Sequence, residues 1–510
     1  MTESACQSSR RRLRAALAAL VVPLLAVGCT PARGGSGPSP SQSSTAARPL
    51  RVMSTDPIRV ADPAAVTDAG SAVLALNAFQ RLMSADPGES APKPDAARDC
   101  LFTAATTYTC TLNEKLFFHD GSPVTSADVK FSIERATRLD VAGSSASLLS
   151  SLRRIETPDS KTVRFLLSRV DTQFVWALAS PAASIVNRRV YDADEVRPAT
   201  SPIVGSGPFS VTYFSGSDLR LSRNRKYVGR NPGRANDVLY RVAPDSASIE
   251  AAMRQQEVDV VWRGLNQAAV TRLLQQASPD PDQLTGDGFR PRVLTGVRVH
   301  ELLWNPRSPM RANAALRSAI EQALQEDRTL DSVVPGGVPG HVNSLPVGGR
   351  GKPKVTWSSR VQINLGYDPA MPDSRDLATQ IRTRLEDTGG MSVRLRPGPT
   401  GGQPTTTDLQ LLDRKAWTAT AVSWLQPYLD APLPSSSSTV TRLELAFSST
   451  TTEAEAARLL TALQKQAAAD KVVLPVSQGD DYLFARDGVD INENSFGPGW
   501  QLGLFGMRTA

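Results

Sequence analysis

Histidine is scarce in this 510-residue chain: His119, His300 and His341 are the only three, and they lie far apart. No grouping of His, Cys, Asp and Glu has metal-ligand spacing, no CxxC occurs, and no serine sits in a hydrolase elbow with an identifiable base. Metal-dependent, thiol-redox and nucleophilic chemistry therefore lack a motif, and no cofactor, metal or catalytic residue is expected. Long apolar runs are missing beyond the first 28 residues, so nothing in the body has the length to cross a bilayer. No repeat of 20–50 residues is present, which sets solenoids and propellers aside. Strong charge of one sign is absent too. The formal charge is +7, and Arg10, Arg11, Arg12 and Arg14 against Glu3 carry +3 of it, leaving +4 for the rest. That is too little for a nucleic-acid partner and suits a surface held near an anionic membrane. A hydrophobic content of 40% against 21% charged residues excludes disorder throughout, and the length favours two or more domains.

The N-terminus reads as an address. Four arginines precede an apolar run over 15–27 that ends at Gly28-Cys29, the pattern of a secretory signal. Ala26-Val27-Gly28-Cys29 resembles a lipobox, with alanine where leucine is more usual, and the resemblance implies that Cys29 is lipid-modified and becomes the mature N-terminus. Two or three acyl chains, at about 0.8 kcal/mol per buried methylene, would hold such a protein to a membrane. The Gly-, Ser- and Pro-rich segment 29–47 reads as a flexible tether. Cys6 leaves with the signal and Cys29 is the lipid site. Cys100 and Cys110 then remain as a pair in an exported protein, and a disulfide is expected.

The most informative stretch is YTCTLNEKLFFHDGSPVTSADVKFSIERA, starting at Tyr108. Tyr108, Cys110 and Leu112 alternate with Thr109, Thr111 and Asn113, the period of a half-buried strand. His119-Asp120-Gly121 supplies turn chemistry, and Thr125 three residues before Asp128 predicts a capped helix burying Val129, Ile133 and Ala136. This run resembles the signature segment of the family 5 extracellular solute-binding proteins, the dipeptide-, oligopeptide- and nickel-binding receptors of ABC importers. The resemblance implies an α/β fold of the two-lobed, type II periplasmic-binding class, large peptide-binding subclass, with a hinge between lobes.

Along the body, a strand from Leu50 and a helix burying Val73, Leu76 and Phe79 are similar to the family's first units, Asp62-Pro63 included. Strands flank a turn at 157–160. Gly205-Ser206-Gly207-Pro208-Phe209 resembles the family's hairpin entry rather than a nucleophile turn or phosphate loop, because neither GxSxG spacing nor a P-loop lysine is present. A helix burying Ile249 and Met253 leads into a strand with Val258, Val260 and Trp262. The strand over 297–306 and a helix with Leu316, Ile320 and Leu324 match the entry to the second lobe, with Arg317 and Glu321 expected as an exposed i,i+4 pair. Residues 336–353 read as loop, and the helix usual before VQINLGY is missing, so this lobe looks trimmed. Trp417 to Ser423 reads as a strand leading into Trp424-Leu425-Gln426-Pro427-Tyr428-Leu429-Asp430. That run resembles the family's Trp-x-x-Asp-Tyr-x-Asp-Pro motif, with Pro427 where the first acid belongs.

The expected domains are a signal (1–28), a tether (29–47), lobe I (48–290 plus 475–510) and lobe II (291–474). The function implied by the resemblance is a lipid-anchored receptor, monomeric, on the extracytoplasmic face of the cell membrane. It would deliver a peptide or similar small solute to an ABC permease. Aromatic walls with a polar anchor suit such binding. Trp424, Tyr428, Trp304 and Trp262 are the candidate walls and Asp430 the candidate anchor. Two alternatives stand beside this: a non-transport envelope lipoprotein that binds a glycolipid-like ligand or regulates envelope assembly, and an exported hydrolase using Ser206.

Overall fold

The computed structural model of the chain describes residues 48–278, 283–349, 353, 359–399, 406–497, 499 and 501–509. The signal, the tether and Cys29 lie outside the described residues. The elements run β1 (Leu50–Ser54), α1 (Ala69–Ala78), β2 (Met83–Ser84), β3 (Lys93–Pro94), β4 (Ala97–Ala104), β5 (Thr107–Leu112), α2 (Ser126–Leu139), β6 (Leu152–Glu156), β7 (Thr162–Leu167) and α3 (Phe174–Ala177). Then come β8 (Phe209–Phe214), β9 (Asp218–Arg223), β10 (Asp237–Val242), α4 (Ser246–Arg254), β11 (Val260–Trp262), α5 (Gln267–Ala277), β12 (Phe289–Trp304), α6 (Ala314–Leu324), β13 (Val361–Tyr367), α7 (Ser374–Glu386), β14 (Met391–Pro397) and β15 (Leu409–Arg414). The chain closes with α8 (Ala421–Asp430), α9 (Ser437–Ser449), α10 (Glu453–Asp470), β16 (Val473–Arg486), β17 (Val489–Ile491) and β18 (Met507–Thr509).

Ten strands form one continuous sheet in the order β14-β13-β15-β12-β16-β11-β1-β10-β9-β8. The two long antiparallel strands β12 and β16 are its spine. β16 pairs with β11 through Val260↔Ala485 to Trp262↔Leu483, while β12 pairs with β15 from Val299↔Arg414 to Trp304↔Leu409. Between those two stations the β12–β16 register slips at Leu294/Arg298, where Gly296 takes φ +69. A side chain there would be strained by its left-handed backbone and would press on Gln478, so glycine suits the bulge. The hydrophobic cores divide at the same place. One large cluster is drawn from residues between 299 and 476, and the others come from residues 50–297 and 483–507.

A separate sheet, β4-β5-β7-β6, packs on α2. Tyr108, Cys110 and Leu112 are buried with their neighbours half-buried, as the alternation requires. Thr125 and Asp128 form the capping box, and Gly121 turns with φ +85. Val129, Ile133 and Ala136 fill the core beneath. Cys100 and Cys110 oppose each other across β4 and β5 and are bonded. Asp62 accepts from both ends of the buried Arg135 guanidinium, pinning α2 to the turn before α1. Gly205 and Gly207 press on the last turn of α1, where a Cβ at Gly205 would fall 2.0 Å from the Ala78 carbonyl oxygen.

Two sequence expectations are corrected. Residues 417–423 are not a strand: β15 ends at Arg414 and α8 begins at Ala421. The N–H groups of Trp417 and Thr418 donate to Ser423 Oγ, folding this connection onto the helix start, and the apolar spacing of Trp424, Leu425, Tyr428 and Leu429 is helical. Arg317 and Glu321 are not an exposed pair. Arg317 is buried and donates to the carbonyls of Asp470 and Arg311, while Glu321 binds the buried Arg328 at 2.7 Å. The stripe of Leu316, Ile320 and Leu324 is core as expected, and truncating one of them would cost about 2–5 kcal/mol.

Candidate ligand-binding cleft

A cavity of about 850 Å3 lies where the two sets of cores face each other. One wall comes from the segment after β1, the start of α1, residues 140–150 and the end of β11. The other comes from β15, α8 and α9. Contacts cross the cleft at its rims. Arg59 donates to Asp368 at 2.5 Å, the Gln267 N–H to Asp373 at 2.8 Å, and the Thr172 N–H to the Ser448 carbonyl at 2.8 Å. The walls therefore enclose the space rather than merely flank it.

The floor is ionic. Arg263, only 3% exposed, lies 3.2 Å from Asp56 and 2.8 Å from Asp413. Arg298 approaches Asp413 at 3.2 Å, and Lys415 binds Asp481 at 2.9 Å. Burial opposes charge on these groups and nearby countercharges compete with it, with a different winner from group to group. Burial alone would raise Asp413 and Asp481, yet Arg263 and Arg298 hold the first, and Lys415 and Arg263 the second, below the usual carboxylate range. For Asp56 burial wins over Arg263 and lifts it to about 6. His300 beside this cluster is driven down to about 4 by burial, against the pull of Asp413, and serves as a neutral hydrogen-bond partner of Ser477.

Of the five sequence candidates, the fold brings two to the cavity. Trp262 lines it at the end of β11, with the Lys415 ammonium 5.9 Å from its ring. Asp430 lines it at the end of α8, accepting from Gln426 at 2.6 Å and Ser147 at 3.4 Å. Trp304 is wholly buried in the second core, and so is Tyr428, whose hydroxyl donates to Asp470 at 2.6 Å. Trp424 packs there too, under the Arg414 guanidinium at 5.2 Å. Periodicity explains the division: Trp424 and Tyr428 share the inward face of α8, whereas Gln426, Pro427 and Asp430 lie toward the cavity.

Pro427 has its own accommodation. It lacks the N–H that would satisfy the Ser423 carbonyl, and Arg414 takes that carbonyl at 3.2 Å and the Trp424 carbonyl at 2.9 Å while pairing with the buried Glu301 at 2.6 Å. Asp56, Arg263, Asp413, Lys415 and Glu444 all line the cavity, and sequence reasoning passed over them. One signal was available: Asp56 and Arg263 follow the carboxyl ends of the parallel strands β1 and β11, where open α/β sheets place their ligands. Among the described residues Ser206 Oγ is buried without a hydrogen-bond partner, and the His119 ring is engaged with the Gly207 carbonyl.

The fold and its enclosed cleft define a two-lobed binding protein of the type II periplasmic class. The profile of the bacterial extracellular solute-binding proteins, family 5 (middle region), matches residues 91–370, more than half of the chain, and the chain belongs to that family. It is 30% identical over 209 residues to "Probable D,D-dipeptide-binding periplasmic protein DdpA" of Escherichia coli K12, covering 39% of this chain and 40% of that protein. It is 24% identical over 322 residues to "Probable ABC transporter periplasmic-binding protein SapA" of the same organism, covering 58% and 55%. The chain thus spans about half or less of the length of these two relatives. Among solved structures, the binding protein AgaA of A. tumefaciens R10 with agropinic acid superposes with a TM-score of 0.76 at 19% identity, over 91% of this chain and 99% of that one. DppA of Helicobacter pylori with the peptide STSA gives 0.73 at 17%, over 90% and 98%. These likenesses concern the fold.

Proposed function

We propose that this chain is the extracytoplasmic, lipid-anchored receptor of an ABC importer, closing on a peptide or similar small oligomeric solute and presenting it to the permease. The observation that carries this reading is the cavity of about 850 Å3 enclosed between separately cored halves, within the size range of small-molecule sites. In this reading the halves are taken as 48–290 plus 475–510 and 291–474. They are linked by β12 and β16, whose bulge at Gly296 gives closure a place to bend. The names of relatives that bind peptides or serve ABC transporters support the choice of partner. Lipidation at Cys29 rests on the N-terminal sequence alone, and a Cys29→Ala chain found free of membranes would agree with it.

Native mass spectrometry of the protein purified without refolding tests the central claim. A bound solute of low mass is expected, together with a fall in the radius of gyration when that solute is added back to stripped protein. A stripped protein whose scattering is unchanged by every solute recovered from it would sink the reading. The apolar Pro427 in the cavity wall favours a second reading, a non-transport envelope lipoprotein holding a glycolipid-like molecule. Permease and ATPase genes beside this one speak for import, and a lipid mass in the native spectrum speaks for the alternative.

A further inference from the structure

We propose that the outer edge of the ten-stranded sheet, β13 and β14, is a docking surface for anionic phospholipid headgroups, seated through Arg394 and Arg396 on the sheet face that also walls the cleft. This goes beyond the receptor reading and does not depend on which solute is bound. β14 is the last strand on its side of the sheet. Alternation sends Met391 and Val393 of β14, with Ile363 and Leu365 of β13, into the core shared with α7. The residues between them, Gln362, Asn364, Arg394 and Arg396, therefore stand on the other face. The register carries that face inward. Arg396 is level with Gly366, Gly366 with Gln410, and Gln410 with Leu303, and the last two line the cavity.

The arginines are set in place without being neutralised. Arg396 donates to Asn364 Oδ1 at 3.1 Å and Arg394 to the side-chain oxygen of Gln362, and neither forms an ion pair among the described residues. Asp408 joins the same row through the Asn364 backbone, but it is 8% exposed and taken up by Ser308 Oγ and the two N–H groups of Asn364. Arg360, just before β13, and Arg307, just past β12, are exposed as well and pair with no acid among the described residues. These four arginines equal the whole +4 of residues 29–510, so the rest of that span is neutral overall. On the opposite face α7 mixes its signs, with Asp376 and Glu386 among its arginines and Arg384 bound to Asp327.

Charge on an edge strand also discourages pairing with another strand. That role needs neither a common face nor a bias of sign, and this edge has both. A protein partner would call for a buried aromatic or aliphatic anchor. Among the described residues none of the large exposed apolar side chains lies on β13 or β14. Headgroup phosphates need only the cations, and a guanidinium meets a phosphate through two parallel N–H donors. A bilayer held there lies on the cleft side of the sheet, so docking turns the cavity wall toward the membrane.

The experiment is vesicle flotation of the full chain carrying Cys29→Ala, so that no acyl chain contributes. The vesicles are phosphatidylcholine alone and phosphatidylcholine with one third phosphatidylglycerol. Binding to the anionic vesicles is expected to exceed binding to the neutral ones at least tenfold and to fall away in concentrated salt. Arg394→Glu with Arg396→Glu should remove at least nine tenths of that binding with an unchanged melting temperature, and Arg394→Gln with Arg396→Gln should remove part of it. The same change of charge at the end of β9, Arg223→Glu with Arg225→Glu, should leave most of it, because those exposed arginines lie on another surface. The inference is overturned by equal binding to both vesicles, by anionic binding that the substitutions at Arg394 and Arg396 leave intact, or by an equal loss in the β9 control. A protein that ignores both vesicles, yet loses binding to its permease when Arg394 and Arg396 are replaced by glutamate, would give this face to an acidic protein partner and overturn the lipid reading as well.

Discussion

The floor of the cleft and its far end are both rich in charge, but the charge is used differently. At the floor every cation faces an acid: Arg263 with Asp56 and Asp413, Lys415 with Asp481, Arg298 with Asp413. At the far end Glu444, Asp430 and Asp140 line the cavity and form no salt bridge among the described residues, with Arg169 the cation nearest in effect to Glu444. Matched buried charges hold two walls in register, and removing one leaves its partners stranded in low dielectric. Solvent-accessible charges without a close salt bridge contribute little to architecture.

The comparison breaks most visibly at Arg263. Arg263→Met strips the counter-charge from Asp56 and Asp413 together and should cost about 3–5 kcal/mol in urea unfolding. Glu444→Gln, at the far end, should cost under about 1 kcal/mol. Equal losses at the two positions would erase the distinction. The next effect is a pH dependence. The folded-state value of Asp56, about 6, lies above its ordinary 3.8, so the folded protein binds this proton more tightly than the unfolded chain. Its contribution is present below pH 4 and is lost as pH rises through 6, a change of about 3 kcal/mol. Wild type minus Asp56→Asn should therefore become less favourable between pH 4 and 7. A flat difference curve would mean that Arg263 holds Asp56 ionised throughout.

Much of the scaffold was legible in the sequence because local physics wrote it. The alternation at Tyr108, Cys110 and Leu112, the Thr125–Asp128 cap and the stripe of α6 are each specified within a dozen residues, and the fold keeps all three. The site was legible only in part. Whether an aromatic of α8 faces core or cavity depends on where distant β15 and α10 pack against it, which is why Tyr428 turned inward to Asp470 while Asp430 did not. The strand expected at 417–423 failed for a related reason. Its β-branched and aromatic residues suited a strand, but the hydroxyl of Ser423 captured two backbone N–H groups and started a helix instead. The ionic floor joins residues 56, 263, 413 and 481, and no pattern within one segment reveals a cluster assembled from four.

Two smaller effects sharpen the contrast between what holds the halves and what closes them. Replacing Cys100 and Cys110 by serine opens a ten-residue separation in a hairpin remote from the cleft, and should cost about 2–3 kcal/mol without changing solute affinity. Thiol titration of the unreduced mature protein should find neither cysteine free, and two free thiols would remove the basis for that figure.

The smallest expected effect on stability is at Arg59, whose pairing with Asp368 spans the rim. Its side chain is 25% exposed, so the pair should contribute no more than about 1 kcal/mol to unfolding. Its larger consequence lies in the equilibrium between open and closed forms, because the contact exists only when the rims meet and so adds its whole energy to one state. Arg59→Ala should leave the melting temperature of solute-free protein within about 2 °C while expanding its radius of gyration toward the open form. Saturating solute should restore the compact value, since ligand contacts on both walls outweigh one rim pair. An Arg59→Ala protein that stays as compact as wild type without solute would assign closure to the floor and leave the rim pair incidental.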